Sequence, residues 1–589
     1  MHAASSHQRI RFGPFAMDEN AGELFKDGLK VRLQEQPLQI LQTLLEHPGQ
    51  VVTREELRRR AWPSDTFVDF DHGINNAINR LREALGDTAE TPRFIETLPK
   101  RGYRFIGELD TGHSHVREGP IDTIAIFPFV TSVPDPDLEY LSTGIPGSII
   151  HSLSLVPRLR VIAWNSLTQN RNGQSDPLSI GRSVDAKVIL VGRIWQRNSK
   201  LRLHVDLLDT TKGEALWGEQ YDRDLAELFA VHDDIAREVS ARLRVKLTGE
   251  DTTRLTKRYT ENVEAYQLYV RARRWCEKRS VEGFKRAAEY LTRAIELDPK
   301  FALAYAELAQ VISVPCSYSA ADPSIAYPKA RETALRALEL DADLAEAHSV
   351  LATVFKTYDW NWGAAEEEYK LAIALNPNCT VARYHYSYLL AEQGRFEEAI
   401  YEASEALSRD PMSPLLNAGL AYVLLHARML DRAIEQALTA LEVDGNMVLS
   451  YWTLGAAYEQ KGLFGEAIDV YQQSIDAGSA PVLAHAFLIH AYGRSGQCDQ
   501  ALLCLTRLEE LSKTQYVSRI AFVVAYAGLG EIDLALDALE ESCSLREANL
   551  VQINLWPHFD VLRDRSRFQE VERRVGLGKQ AASELAHFK

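Results

Sequence analysis

The second half of this chain repeats itself every 34 residues, and that period constrains the fold more than any other feature. Ala399, Ala433, Ala467, Ala501 and Ala535 are equally spaced, and each is followed by Ile or Leu. A break recurs five residues earlier at Gly394, Gly462, Gly496 and Gly530, with Arg428 in the remaining slot, while Pro377, Pro411, Gly445 and Ser479 form a second series. Small residues let two helices approach closely, and Gly and Pro mark the turns between them. Neither helix of such a pair can bury its apolar stripe alone. Stacking the pairs solves this and produces a solenoid with a concave face.

These positions resemble the tetratricopeptide repeat family. In the clearest unit its usual sites fall on Tyr451, Leu454, Gly455, Tyr458, Ala467 and Tyr471; Ala365, Tyr369, Ala372 and Pro377 mark another, and Ala287, Leu291, Ala294 and Pro299 the first well-marked one. Repeats are expected over 261–548. Cys316 to Pro328 adds about nine residues to its repeat, as an inserted loop that is either a tolerated surface insertion or a partner contact. Residues 549–589 depart from the period, and Phe559, Leu562 and Phe568 fit a terminal helix capping the open apolar end. Trp275, Trp360, Trp362 and Trp452 read as packing between helices, with peptide contact as the alternative.

At 589 residues, 46% apolar and 25% charged, the chain is globular and too long for one core. A formal charge of −16 argues against broad electrostatic attachment to nucleic acid or anionic membrane, while leaving room for a small local reader. Six cysteines are scattered without metal-ligand pairing, as buried thiols of a reducing compartment would be. MHAASSHQRI lacks an apolar core segment, and no apolar run approaches the length of a bilayer span. The expectation is a soluble, cytoplasmic protein.

The first hundred residues have a different grammar. RFGPFAMD and GELFKDGLKVRL alternate and turn at Gly22 and Asp27-Gly28, predicting a small antiparallel sheet. Leu38, Ile40, Leu41, Leu44 and Leu45 make one helical face, stopped near Pro48-Gly49. A second helix starts at Thr53, whose TREE sequence is a capping box, and ends around Trp62-Pro63. A third runs from about His72 to Leu85, closed by Gly86. Its core side is Ile74, Ala77, Ile78, Leu81 and Leu85, and its other side carries Asn75, Asn76, Asn79, Arg80 and Arg82. Amides and guanidinium groups in such a row suit hydrogen bonding to base edges and phosphates in a major groove. Two strands around Leu98-Pro99-Lys100-Arg101 then give a hairpin with a basic tip.

LLEHPGQVVTREEL, INNAINRLREALGD and IETLPKRGYRF resemble the winged helix-turn-helix effector domain of bacterial response regulators and of ToxR-like one-component regulators, over 8–109. The resemblance implies that the third helix enters the major groove, the second braces the backbone and the wing reaches the minor groove. It places base or phosphate contacts on Asn75, Asn76, Asn79, Arg80 and Arg82, a phosphate at Thr53 and Arg54, and wing contacts on Lys100, Arg101 and Arg104. Tyr103 is expected to pack under the hairpin. Arg58, Arg59 and Arg60 read either as a solvated face pairing with Glu55 and Glu56 or as phosphate contacts. Residues 1–110 hold 15 basic against 17 acidic side chains, a net of −2, so dimerisation or tandem sites are needed for useful affinity.

A linker is expected over 110–118, then a mixed α/β domain over 119–248. Strands are predicted around 121–130, 159–164, 187–195 and 201–209, with helices around 144–155, 179–186 and 229–247. IAIFPFV, AKVILVGRIW and FAVHDDIAREV resemble the amino-terminal domain of TolB-like proteins, which implies a sensor or assembly module. Asp206, Asp209, Asp222, Asp224, Asp233, Asp234, His204 and His232 do not fall into a metal or catalytic spacing, so neither catalytic, cofactor nor metal residues are expected.

The fold class expected is therefore multidomain α+β and all-α: a winged helix-turn-helix, a mixed α/β middle domain and an α-solenoid. The function expected is sequence-specific, one-component transcriptional regulation. No receiver domain is expected ahead of the winged helix and no membrane helix after it, so the signal should enter through the middle domain or the repeats. The partners expected are double-stranded DNA, as a dimer or higher oligomer, and a protein partner on the repeats, with RNA polymerase and another copy among the candidates. The alternative is an interaction scaffold whose winged helix does not bind DNA tightly.

Overall fold

The computed structural model describes residues 9–12, 15–18, 23–26, 29–31, 33, 35–61, 70–88, 92–98, 101–107, 109–110, 121–131, 136–156, 159–163, 176–197, 200–224, 228–243, 257, 259–477 and 481–577. The chain divides into two compact units, Met1–Gly119 and Pro120–Lys589.

In the first unit, strands β1 (Arg9–Phe12), β2 (Phe15–Asp18), β3 (Glu23–Lys26) and β4 (Leu29–Val31) form an antiparallel meander, joined on the β1 edge by β8 (Leu109–Asp110). Alternation aims Phe12, Phe15, Met17 and Leu24 into the core. There Phe12, Phe15, Phe94 and Phe105 pack ring on ring, with Phe12 and Phe105 centroids 5.2 Å apart. Helices α1 (Glu35–Glu46), α2 (Arg54–Ala61) and α3 (Phe70–Leu85) bury the apolar stripes read from the sequence. A second antiparallel sheet, in the order β5 (Val51–Thr53), β7 (Gly102–Phe105), β6 (Ile95–Leu98), carries the hairpin. Gly102 is required where β7 passes β5: its φ is +151°, and a Cβ there would stand 2.0 Å from the Val52 carbonyl oxygen.

The second unit opens with a sheet ordered β11 (Arg160–Ala163), β9 (Thr123–Ile126), β12 (Val188–Arg197), β13 (Lys200–Asp209), β14 (Ala215–Asp224), with β10 (Val130–Thr131) beside β12. The three strands β11, β9 and β12 run parallel and the last three antiparallel. Fully buried β9 lies at the centre of the parallel part, as its unbroken apolar run requires. Strand β14 has no counterpart in the sequence expectation, because its inward residues are spaced out by Gly218, Glu219 and Gln220. The helices are α4 (Pro136–Ser154), α5 (Pro177–Ser183), capped by Asp176, and α6 (Leu228–Arg242). The expected linker lies outside the described residues apart from Asp110.

This layer shares one hydrophobic core with the first repeats, where Ile145, Ile149 and Leu153 of α4 join Ala265, Tyr269 and Ala272. Tyr266 donates to the Gly144 carbonyl at 3.0 Å, and the Asn378 amide donates to the carbonyls of Ser154 and Leu159 at 2.9 and 3.0 Å. From Val263–Glu277 to Ile532–Ser544 the chain alternates helices of the solenoid. Ala399, Ala433, Ala467, Ala501 and Ala535 are all fully buried. The periodic breaks all have left-handed backbone: φ is 83° at Gly394, 75° at Gly462, 78° at Gly496 and 80° at Gly530, and Arg428 adopts 61° in their place. The backbone geometry is thus kept where the residue type is not.

Two expectations change. The stretch from Cys316 to Pro328 is not an inserted loop: Ala302–Ser317 and Pro323–Leu340 are long helices with a short turn between, so the extra residues extend the helices. Asp322 caps the second and Pro323 occupies its first turn, where no backbone N–H is needed. Nor is the carboxy-terminal segment merely a cap on the last repeat. After Ile532–Ser544 the chain enters 3₁₀ turns at Ala548–Gln552 and Pro557–Phe559, running along the inner face made by the first helices of the pairs. His426 Nδ1 lies 3.0 Å from the Leu555 carbonyl, Trp556 donates to the Tyr422 hydroxyl at 3.0 Å, and Arg546 donates to the Tyr358 carbonyl at 2.7 Å. The last helix among the described residues, Ser566–Val575, packs Phe568 and Val571 inward, while Trp362 donates to the Val575 carbonyl at 2.8 Å. Trp360 lies under the Arg546 guanidinium. Trp360 and Trp362 therefore do meet a peptide, one belonging to the chain itself.

Candidate nucleic-acid interface

The sequence around Thr53 starts a helix, and the structure shows how. The Thr53 hydroxyl accepts from the Glu56 amide at 3.3 Å, which satisfies one of the free donors of the first turn of α2. Thr53 itself is exposed, and acidic Glu55 and Glu56 follow in that turn. Of the neighbouring basic run, Arg60 pairs with Glu46 of α1 at 2.7 Å, rather than with Glu55 or Glu56, and Arg58 and Arg59 are exposed.

Helix α3 places Asn75, Asn76, Asn79 and Arg80 on its exposed side, on turns opposite buried Ile74, Ala77, Ile78 and Leu81. Asn75 has a second duty. Its Oδ1 accepts from the Tyr103 hydroxyl at 2.7 Å and from Arg54 at 3.0 Å, and Arg54 also reaches the Tyr103 hydroxyl at 3.1 Å. This triad ties the first turn of α2, the recognition-type helix and the hairpin together. Tyr103 is buried beneath the hairpin, as expected; its hydroxyl serves this network and its ring lies under the Arg54 guanidinium, 5.3 Å from the centroid.

Arg82 departs from its expected place. It is 6% exposed and donates to the Ile95 carbonyl and the Thr97 hydroxyl, both at 2.8 Å. On a helix turning about 100° per residue Arg82 lies within about 60° of both Asn75 and Asn79, so it is the hairpin, through Ile95 and Thr97, that takes it out of the exposed row. It is an internal brace and does not belong to the exposed row. Arg104 forms a two-pronged ion pair with Glu96 directly across the hairpin, at 2.8 and 2.5 Å. Arg101 is exposed in the turn, where its amide donates to the Leu98 carbonyl at 3.0 Å. Lys100 lies outside the described residues.

One organising residue escaped the sequence reading. Asp87, just after α3, is buried and accepts from the backbone amides of Thr88, Arg93, Phe94 and Ile95 at 2.7 to 3.0 Å. Burial pushes its carboxyl up, but these four amides outweigh that and hold its pKa below the ordinary value. The GD pair at the end of a helix was the available signal.

The carboxylates and histidines of the middle sheet are spread over its surface. Asp222 pairs with Arg202 at 2.7 Å, His204 lies 3.1 Å from Asp206, Asp234 lies 3.2 Å from Arg237, and Asp209 caps the turn at Thr211 and Lys212. The side chains of Asp224, His232 and Asp233 lie outside the described residues. Cys316, Cys379 and Cys543 are buried thiols, but Cys498 is exposed. Among the described residues, no helix is long and apolar enough to cross a membrane.

Residues 28–105 match the family "Transcriptional regulatory protein, C terminal", and residues 361–414 and 419–480 match the tetratricopeptide repeat family. The TolB-like reading of 119–248 rests on its sequence motifs alone. The chain is 35% identical over 186 residues to putative adenylate cyclase 3 of Rhizobium meliloti, covering 32% of each chain. It is 38% identical over 95 residues to the cholera toxin homolog transcriptional activator of Vibrio parahaemolyticus, covering 16% of this chain and 32% of that one. It is also similar to the transcriptional regulator HilA of Salmonella typhimurium, at 22% identity over 435 residues, covering 73% of this chain and 75% of that one. The chain thus spans about a third of the length of the first two relatives and about three quarters of the third. It carries a winged-helix DNA-binding domain of the transcriptional regulatory protein type in its first unit and tetratricopeptide repeats in its second.

Proposed function

We propose that this protein is a sequence-specific, DNA-binding transcriptional regulator of the one-component type. The observation that carries the reading is the exposed row Asn75, Asn76, Asn79 and Arg80 on a helix braced by α2 and by the hairpin. Asn76, Asn79 and Arg80 read base edges or adjacent phosphates in the major groove, with the outward amide of Asn75 beside them. The amide end of α2 at Thr53 takes a phosphate, and Lys100 and Arg101 serve the wing. Arg54, Arg82 and Arg104 act one step back, by holding Asn75 and the hairpin in place. No catalytic step is assigned to the middle sheet, whose charged groups pair on its surface.

With Arg54, Arg60, Arg82 and Arg104 engaged internally, the basic footprint of the first unit is small. Two copies on paired half-sites then supply the affinity that one lacks. The repeats and the α/β layer, which share a core, form the input side, where a protein partner such as RNA polymerase or a second copy docks. Selection of duplexes from a random pool by the full chain tests the reading. An enriched motif, lost in an Asn76→Ala, Asn79→Ala, Arg80→Ala variant, is expected. A pool that stays random would replace the reading with that of a repeat scaffold.

A further inference from the structure

The inner face of the solenoid is not lined only by apolar groups. Glu459 on helix Val448–Gln460, His490 on helix Pro481–Arg494 and His558 in the turn Pro557–Phe559 converge there, and one ligand atom from each lies within 4.8 Å of the other two. His490 Nδ1 is 2.7 Å from one Glu459 oxygen, and His558 Nε2 is 3.4 Å from the other. Their side chains are 6%, 8% and 4% exposed, so water does not serve them as it would at a surface. His558 Nδ1 makes no hydrogen bond, and Nε2 has only the long 3.4 Å approach to Glu459. A buried imidazole so weakly partnered falls short of the hydrogen bonding such groups ordinarily have.

The surroundings fit a ligand set. The Tyr471 hydroxyl donates to Glu459 Oε1 at 2.9 Å, which orients the carboxylate from behind. Phe487 stacks on the His558 ring with centroids 4.8 Å apart, and the His490 and His558 rings meet edge to face at 4.7 Å. Two imidazoles and one carboxylate, in a dry wall of aromatic rings, suit a first-row divalent transition cation. Magnesium and calcium favour oxygen ligands.

We infer that Glu459, His490 and His558 form a binding site for a zinc-like divalent cation that fastens the carboxy-terminal segment to the inner face of the repeats. Glu459 and His490 come from neighbouring helix pairs, whereas His558 comes from the segment itself. The full ligand set exists only while the segment is docked. Cation binding and docking are therefore linked: each strengthens the other. The site is independent of the DNA-reading proposal and holds or falls without it.

Full-length chain stripped with a chelator and titrated with zinc against a chromophoric competitor should bind one zinc per chain. Zinc should slow proteolytic cleavage between residues 546 and 565 by about tenfold or more, while magnesium and calcium do not. His490→Gln and His558→Gln should each weaken binding by about 100-fold, whereas Cys498→Ser with Cys504→Ser leaves it unchanged. Parent affinity in folded His490→Gln and His558→Gln variants would overturn the proposal, as would an unmodified chain that takes up no zinc. Cobalt substitution of the unmodified chain reads the ligands directly, whether or not the variants fold. Visible ligand-field bands without a thiolate charge-transfer band are expected; a thiolate band would assign the cation to cysteine and end the case.

Discussion

Arg82 on α3 donates a 2.8 Å hydrogen bond to the carbonyl of Ile95 in the hairpin, so α3 and the hairpin beside it are one braced unit. Removing a buried charged donor leaves its acceptors unpaired. Arg82→Ala is expected to cost the first unit about 2 kcal/mol, read as a lower urea midpoint. The slope of log affinity against log salt in the folded fraction should be unchanged, since no phosphate contact is lost. A slope smaller by about one with unaltered stability would instead put Arg82 on the DNA backbone.

Asn79 stands on the exposed side of α3 with no role in the Arg54–Asn75–Tyr103 network. Asn79→Ala should change which duplex is preferred, lowering discrimination at one base pair by about 1–3 kcal/mol, while folding is unaffected. Competition between the selected duplex and single-position variants measures this. If both the affinities and their ratio stay at parent values, Asn79 does not read a base.

Asp87 makes the first unit sensitive to acid. Its pKa is depressed in the folded state, so the stability it contributes is fully present above the unfolded value of about 4 and is lost as pH falls through the folded value. Asp87→Asn should be less stable than the parent at neutral pH by about 2 kcal/mol, and the gap should close in acid. Urea midpoints of the two chains at pH 7 and below 4 provide the comparison; a gap independent of pH would show that the carboxylate charge contributes nothing.

Trp556 anchors the carboxy-terminal segment through its bond to Tyr422 and through ring contacts with Phe487 at 5.5 Å and Phe559 at 5.7 Å. Trp556→Ala should weaken docking by about 3–5 kcal/mol and expose 546–565 to protease, with the repeats before it still resistant. Limited proteolysis followed by mass spectrometry distinguishes the two regions. An unaltered cutting rate would mean that the segment is held elsewhere.

Local pattern alone identified what is periodic or punctuated. The alanine and glycine series located the helix pairs, and Arg428 was read correctly as a break because neighbouring repeats demand a left-handed residue there. In α3 the 3.6-residue spacing separated Ile74, Ile78 and Leu81 from Asn75, Asn76 and Asn79, because burial on one face of a helix follows directly from sequence distance. The three helices and hairpin of the first unit were legible for the same reason.

What the sequence could not disclose depends on contacts between residues far apart along it. Arg82 looks like another exposed arginine until Ile95 and Thr97 are placed beside it, and Asn75 looks like a plain base reader until Tyr103 arrives from 28 positions away. The path of residues 548–559 along the inner face, and with it the meeting of Glu459, His490 and His558, has no periodic signature at all. Tertiary packing decided these points, since a buried polar group must find its partner wherever the fold brings one within hydrogen-bond reach.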